Sequence, residues 1–185
     1  MGTITRTLIA IVLMSITLSP LRSALAASAS EINREVAAAL QTLYQTTPGA
    51  KTLASQAKGI LVFPKIVKAG LIIGGQYGDG ALREKGKTVG YYRSVGGSFG
   101  LQAGAQSFAY ALFFMDDASL RYLEESEGWE IGTGPSVVIV DKGIAKNLSS
   151  TTARKGVYAF IFGQKGLMAG MGIQGSKITR ITPDD

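Results

Sequence analysis

The sequence predicts an α+β domain: mainly antiparallel β structure, barrel- or sandwich-like, with helices at its N-terminal end and one short helix mid-chain. Three observations predict it. Helical periodicity occurs at 30–46, 48–58 and 116–126. From Gly59 onward the apolar runs are short, rich in β-formers and bounded by Gly. Strands do not alternate with helices, which sets the pattern apart from a parallel doubly wound sheet.

Each element follows from its residues. Ile32, Val36, Leu40, Leu43 and Tyr44 recur at helical spacing, and Ser28 with Glu31 makes a capping-box pattern before them. Pro48 suits a first helical position after Thr47, and Gly59 would terminate that helix. "ILVF" reads as a short strand ended by Pro64. "AGLIIGGQYGDGALR" and "TVGYYRSVGGS" supply further strands. In "FGLQAGAQS", Phe99, Leu101, Ala103 and Ala105 share one face, and Gly100, Gln102, Gly104 and Gln106 the other. "FAYALFFM" is apolar on both faces, as a strand covered on both sides would be. "DDASLRYLEES" reads as a capped helix stopped by Gly128. "SVVIV", "VYAFIF", "LMAGMGI" and "KITRI" are the remaining strands, giving a series of many short ones.

The first 26 residues read as a leader rather than as part of the domain. "MGTITR" is a basic start, "TLIAIVLMSITLSPL" an apolar core, and Ala24 to Ala26 offer small residues for cleavage. The apolar run is short of the ~20 residues that a spanning helix needs. The expectation is cleavage after Ala26, with Ala29 as the fallback, and a single domain over 27–185 that is periplasmic or secreted. Losing Arg6 and Arg22 reduces the net charge from +6 to +4. Eight basic and two acidic residues lie between Lys51 and Arg93, against seven acidic and one basic between Asp116 and Asp141. Such unevenness implies a polarised surface if the two groups fall on different faces.

The chain has no Cys and no His, so it lacks a disulfide, a thiolate and the commonest general base. Three glycine patterns touch on catalysis. "GGSFG" fits the nucleophile elbow around Ser98, but a β alternation follows it where an elbow needs a helix. "GMGIQG" fits the dinucleotide fingerprint, yet too few residues follow for the rest of that unit. "GALREKGKT" has five residues between its glycines where a P-loop has four. A Gly-rich β protein yields all three through turns and close approaches. Asp116-Asp117 and the glutamates at 124, 125 and 127 fit a helix cap and a solvated face better than a Ca²⁺ loop. The pair Tyr91-Tyr92 reads as strand aromatics rather than as a nucleic-acid platform. No cofactor is indicated, and the chain is expected not to be an enzyme.

Four ordered blocks resemble the SYLF domain family. They are "AKGILVFPKIVKAGLIIGGQYGDGAL", "YYRSVGGSFGLQAGAQSFAYALFF", "GWEIGTGPSVVIVDKG" and "GVYAFIFGQKGLMAGMGIQGSKITRI". The resemblance implies one compact β-rich domain with flanking helices and an affinity for phospholipids. It also implies actin association in some eukaryotic members, and no catalytic set.

The residues supply a candidate site. Lys58, Lys65 and Lys68 surround Ile60, Leu61, Phe63, Ile66 and Val67, and Arg83 and Arg93 extend the basic stretch. These five are the candidate contacts for anionic phospholipid or a membrane surface, with a protein partner as a further possibility and nucleic acid not expected. The same segment also fits a buried strand whose lysines merely solvate it. Two other functions compete. A small outer-membrane β-barrel fits the leader and the Gly-rich alternation, though the helices and the ending Pro183-Asp184-Asp185 oppose it. A serine hydrolase at Ser98 lacks a base.

Overall fold

A computed structural model describes residues 27–140, 156–166, 173 and 175–184. The leader, most of the "LMAGMGI" strand and most of "GMGIQG" lie outside the described residues. Helix α1 spans Ala29–Thr46 and buries Ile32, Val36, Leu40 and Leu43. The Ser28 hydroxyl caps it, accepting from the Glu31 backbone N–H at 3.2 Å. Only that half of the capping box forms, and the Glu31 carboxylate lies 3.8 Å from Arg34. Helix α2 spans Pro48–Ala54, four residues short of the expectation. The Ala57 N–H still returns to Leu53, but the Lys58 N–H is taken by the Phe114 carbonyl at 2.8 Å. The chain has joined the sheet by then, so Gly59 opens a strand instead of closing a helix.

Between Gly59 and Phe114 the expected series of short strands is in fact one very long hairpin, while the later strands are short as expected. Strand β1 runs Gly59–Glu84 and β2 runs Lys87–Phe114, paired antiparallel along their length. Lys85 and Gly86 form the two-residue turn, with φ of 48° and 81°. Positive φ at both positions is the type I′ geometry that matches strand twist. That turn is what the near P-loop spacing encodes.

The Pro and Gly residues that looked like strand ends are irregularities inside strands. Pro64 and Lys65 together oppose one β2 residue, between the pairs Phe63–Tyr110 and Ile66–Phe108. A bulge accommodates proline, which has no N–H to give the ladder. A second shift falls between Leu71 and Ile73, where β1 turns back on itself. Glycine permits the return: a Cβ on Gly80 would collide with the Val62 carbonyl, and one on Gly78 with the Lys65 carbonyl.

After β2 comes α3, Asp117–Glu125, capped by the Asp116 carboxylate. Then follow β3 (Trp129–Glu130), β4 (Val137–Val140), β5 (Val157–Gly166) and β6 (Lys177–Ile181). The order across the sheet is β3-β6-β2-β5-β4, with β1 also paired to β2. All pairings are antiparallel except β4 with β5. The sheet has two apolar faces. The inner one gathers Phe63, Ile66, Phe108, Tyr110, Leu112, Phe114 and Trp129. The outer one packs Val62, Ala81, Ala109, Ala111 and Phe113 beneath α1 and α2. "FAYALFFM" is therefore covered on both sides, as its sequence predicts. Asn33 fixes α1 to the sheet by donating to Tyr91 Oη at 2.8 Å and accepting from Thr88 Oγ1 at 2.7 Å.

Candidate functional site

The sheet disperses the five basic candidates. Lys58 lies just before β1, half-exposed, with its ammonium 3.8 Å from Asp117. Lys65 is exposed on the β1 bulge. Lys68, three residues on, is 6% exposed and on the inner face. An odd spacing along a strand reverses the face, so Lys65 and Lys68 share no surface. Arg83 sits by the type I′ turn and donates to the Gly86 carbonyl, while its buried Nε has no partner. Arg93 is committed to Asp79 through two bonds of 2.7 and 3.0 Å and lies 5.0 Å from the Tyr77 ring centroid. That bidentate bond raises the Arg93 pKa further, though its partial desolvation opposes it.

Of the apolar residues named around these lysines, Leu61, Phe63 and Ile66 are core, Ile60 is part-buried and Val67 is exposed. A different set of side chains is exposed at the bend and on the two arms that flank it. Ile73, at the bend, is 68% exposed. On one arm Val67 stands opposite Ser107, which stands opposite Lys165 on β5. On the other arm Tyr77 stands opposite Val95, and Val95 opposite Lys177 on β6, with Glu130 beyond. Val67, Tyr77 and Val95 are each nearly half exposed, and Lys65, Lys165 and Lys177 are exposed. Each arm thus presents an apolar residue and a lysine in one cross-strand row. Sequence reasoning named Lys65 and Val67 but missed the rest of this set, because Ile, Tyr and Val in strands read as core. Its only signal is the odd-numbered spacing of Ile73, Tyr77 and Val95 against the buried even positions.

The motifs that suggested catalysis have structural settings. Ser98 pairs with Gly74 inside the continuous β2 ladder, with no strand-to-helix turn beside it. Asp116 accepts from the backbone N–H groups of Ser119 at 2.8 Å and Gly156 at 2.6 Å. Desolvation raises its pKa, but these bonds outweigh it and hold the carboxyl below the usual carboxylate value. A pocket of about 330 Å³ lies far from the bend, between Ala29 and the end of β6, with Arg180 among its lining residues.

Residues 95–183 match the family model described as Ysc84, Las17-binding protein actin regulator. The chain carries a domain of this family, also called SYLF. The match begins about a third of the way along β2, at Val95, and takes in α3 and the described strands after it. It includes the Val95–Lys177 row and the whole of β5, while β1 lies outside it. A comparison with curated proteins finds no match.

Proposed function

We propose that this SYLF-family protein is an exported, non-catalytic module that associates with anionic phospholipid surfaces through the bent end of its long hairpin. The observation that carries the reading is the exposure of Ile73, Val67, Tyr77 and Val95 beside Lys65, Lys165 and Lys177. Apolar side chains next to lysines suit a bilayer interface, where the former enter the head-group region and the latter meet phosphates. Each lysine near an anionic membrane contributes about 1 kcal/mol. Family membership supports lipid association as well, and the family description also names an actin regulator. The outer-membrane barrel is less well supported. Helices α1 and α2 cover outer-face residues of β1 and β2 that a barrel would give to lipid.

The test is co-sedimentation of the purified protein with phosphatidylglycerol and with phosphatidylcholine vesicles. The reading predicts binding to the anionic vesicles that weakens steeply with salt, because exposed charges are screened over about 8 Å at physiological ionic strength. Equal binding to neutral vesicles would contradict the electrostatic part of the reading, and binding to neither would point to a protein partner. Export has its own check, the intact mass of the protein recovered from its native compartment. Cleavage after Ala26 leaves the Ser28 cap of α1 in place, whereas cleavage after Ala29 removes it. A mass retaining residues 1–26 would contradict export by a cleaved leader.

A further inference from the structure

The inner face changes character toward the bend. Two ranks beyond the apolar pair Ile66–Phe108, Lys68 stands directly opposite Gln106. Lys68 is 6% exposed and Gln106 8%. The Gln106 side-chain nitrogen is buried and has no hydrogen-bond partner. Among the described residues the ion pairs involve Arg34, Lys58 and Arg93, and none involves Lys68. The returning arm of β1 brings Gln76, 8% exposed, to the same level. Its neighbours Gly78 and Gly74 contact Ile66 and Gly70, which bracket Lys68. Gln76 donates to the hydroxyl of Ser176, which is fully buried.

We infer that this interior end is a binding site for a small oxyanion of the phosphate class, held by the Lys68 ammonium and the Gln106 amide. The two groups supply five N–H donors between them. A lysine at a largely buried position without a paired carboxylate is unfavourable, and so is a buried amide N–H₂ without an acceptor. An oxyanion satisfies both at once, through charge-assisted hydrogen bonds. A metal cation would be repelled by Lys68, and an apolar ligand would leave every donor unpaired. A tetrahedral anion presents acceptors in several directions, which suits an ammonium and an amide on adjacent strands. The inference goes beyond the surface reading and does not depend on it. The oxyanion comes either from a lipid head group or from free phosphate.

The experiment follows the Gln106 side-chain amide resonance of the ¹⁵N-labelled protein. Sodium phosphate is titrated against matched sodium chloride, and phosphatidylglycerol micelles against phosphatidylcholine micelles. The expected result is a saturable shift with phosphate, absent with chloride and lost in Lys68→Met. A shift with phosphatidylglycerol alone also supports the site and assigns the oxyanion to a head group. No shift with either ligand overturns the site, even where vesicles sediment the protein as the surface reading expects. A shift that persists undiminished in Lys68→Met overturns it too. Should Lys68→Met fail to fold, Gln106→Glu places a carboxylate beside the ammonium. That variant is expected to melt higher than wild type and to lose the calorimetric response to phosphate, and wild-type phosphate affinity in it would overturn the proposal.

Discussion

The bend of the β1–β2 hairpin and the end where β2 enters α3 are built from the same two strands with opposite polarity. At the end where β2 enters α3, apolar side chains fill both faces: Phe108, Tyr110, Leu112 and Phe114 within, Ala109, Ala111 and Phe113 beneath the helices. At the bent end Lys68, Gln76 and Gln106 are buried, while Ile73, Val67, Tyr77 and Val95 meet solvent. The change falls at one level of the sheet. The Pro64–Lys65 bulge of β1 and a register shift at Gly163, φ 64°, of β5 flank β2 there from either side. Burying apolar surface is the main stabilising term in folding, so the first end stabilises the domain and the second opposes it. A fold retains such an arrangement where a site requires it.

If that comparison holds, similar substitutions have opposite consequences at the two ends. Phe113 is fully buried, with its ring 4.9 Å from that of Phe160. Phe113→Ala should cost about 3–5 kcal/mol by urea unfolding, the range for large cavities in packed cores. Vesicle affinity of the folded fraction should not change. A cost below about 1 kcal/mol, the centre of ordinary point mutations, would mean that this end is not the main core.

Asp116 provides a smaller test at the same end, because it ties α3 to the start of β5. Asp116→Ala should cost about 1–2 kcal/mol, as loss of a helix cap does. The acid response has a defined sign. The folded pKa is depressed, so the carboxylate stabilises the protein above its unfolded value near 3.8. That contribution is lost as pH falls through the folded value. Wild type should therefore lose more stability than Asp116→Ala across that acid window, and parallel curves would deny Asp116 this role.

Much of the well-packed end was legible in the sequence, because periodicity and caps act locally. The α1 stripe from Ile32 to Leu43, the Asp116 cap and the doubly buried "FAYALFFM" all follow from near neighbours. The length of the hairpin was not legible. Pro64 and the glycines at 70, 78 and 80 signal strand ends locally, yet here they admit a bulge and a backbone crossing. The site was obscured for a related reason. Five basic residues near one another in sequence suggested one surface, but alternation sends Lys68 inward and Lys65 outward. Which face Ile73 and Tyr77 occupy depends on the register after the bend, and that is set by pairing with β2.

The most direct test compares wild type with the triple variant Ile73→Ser, Tyr77→Ser, Val95→Ser in phosphatidylglycerol co-sedimentation, with unfolding measured alongside. Stability should change by no more than about 0.5 kcal/mol at Ile73 and Val95 and by about 1 kcal/mol at Tyr77, whose ring lies beside Arg93. Vesicle affinity should fall by about tenfold or more, equivalent to about 1.4 kcal/mol of lost interfacial contact. A folded triple variant that sediments with anionic vesicles as wild type does would contradict the account, since the bent end would then not be the surface that meets the membrane.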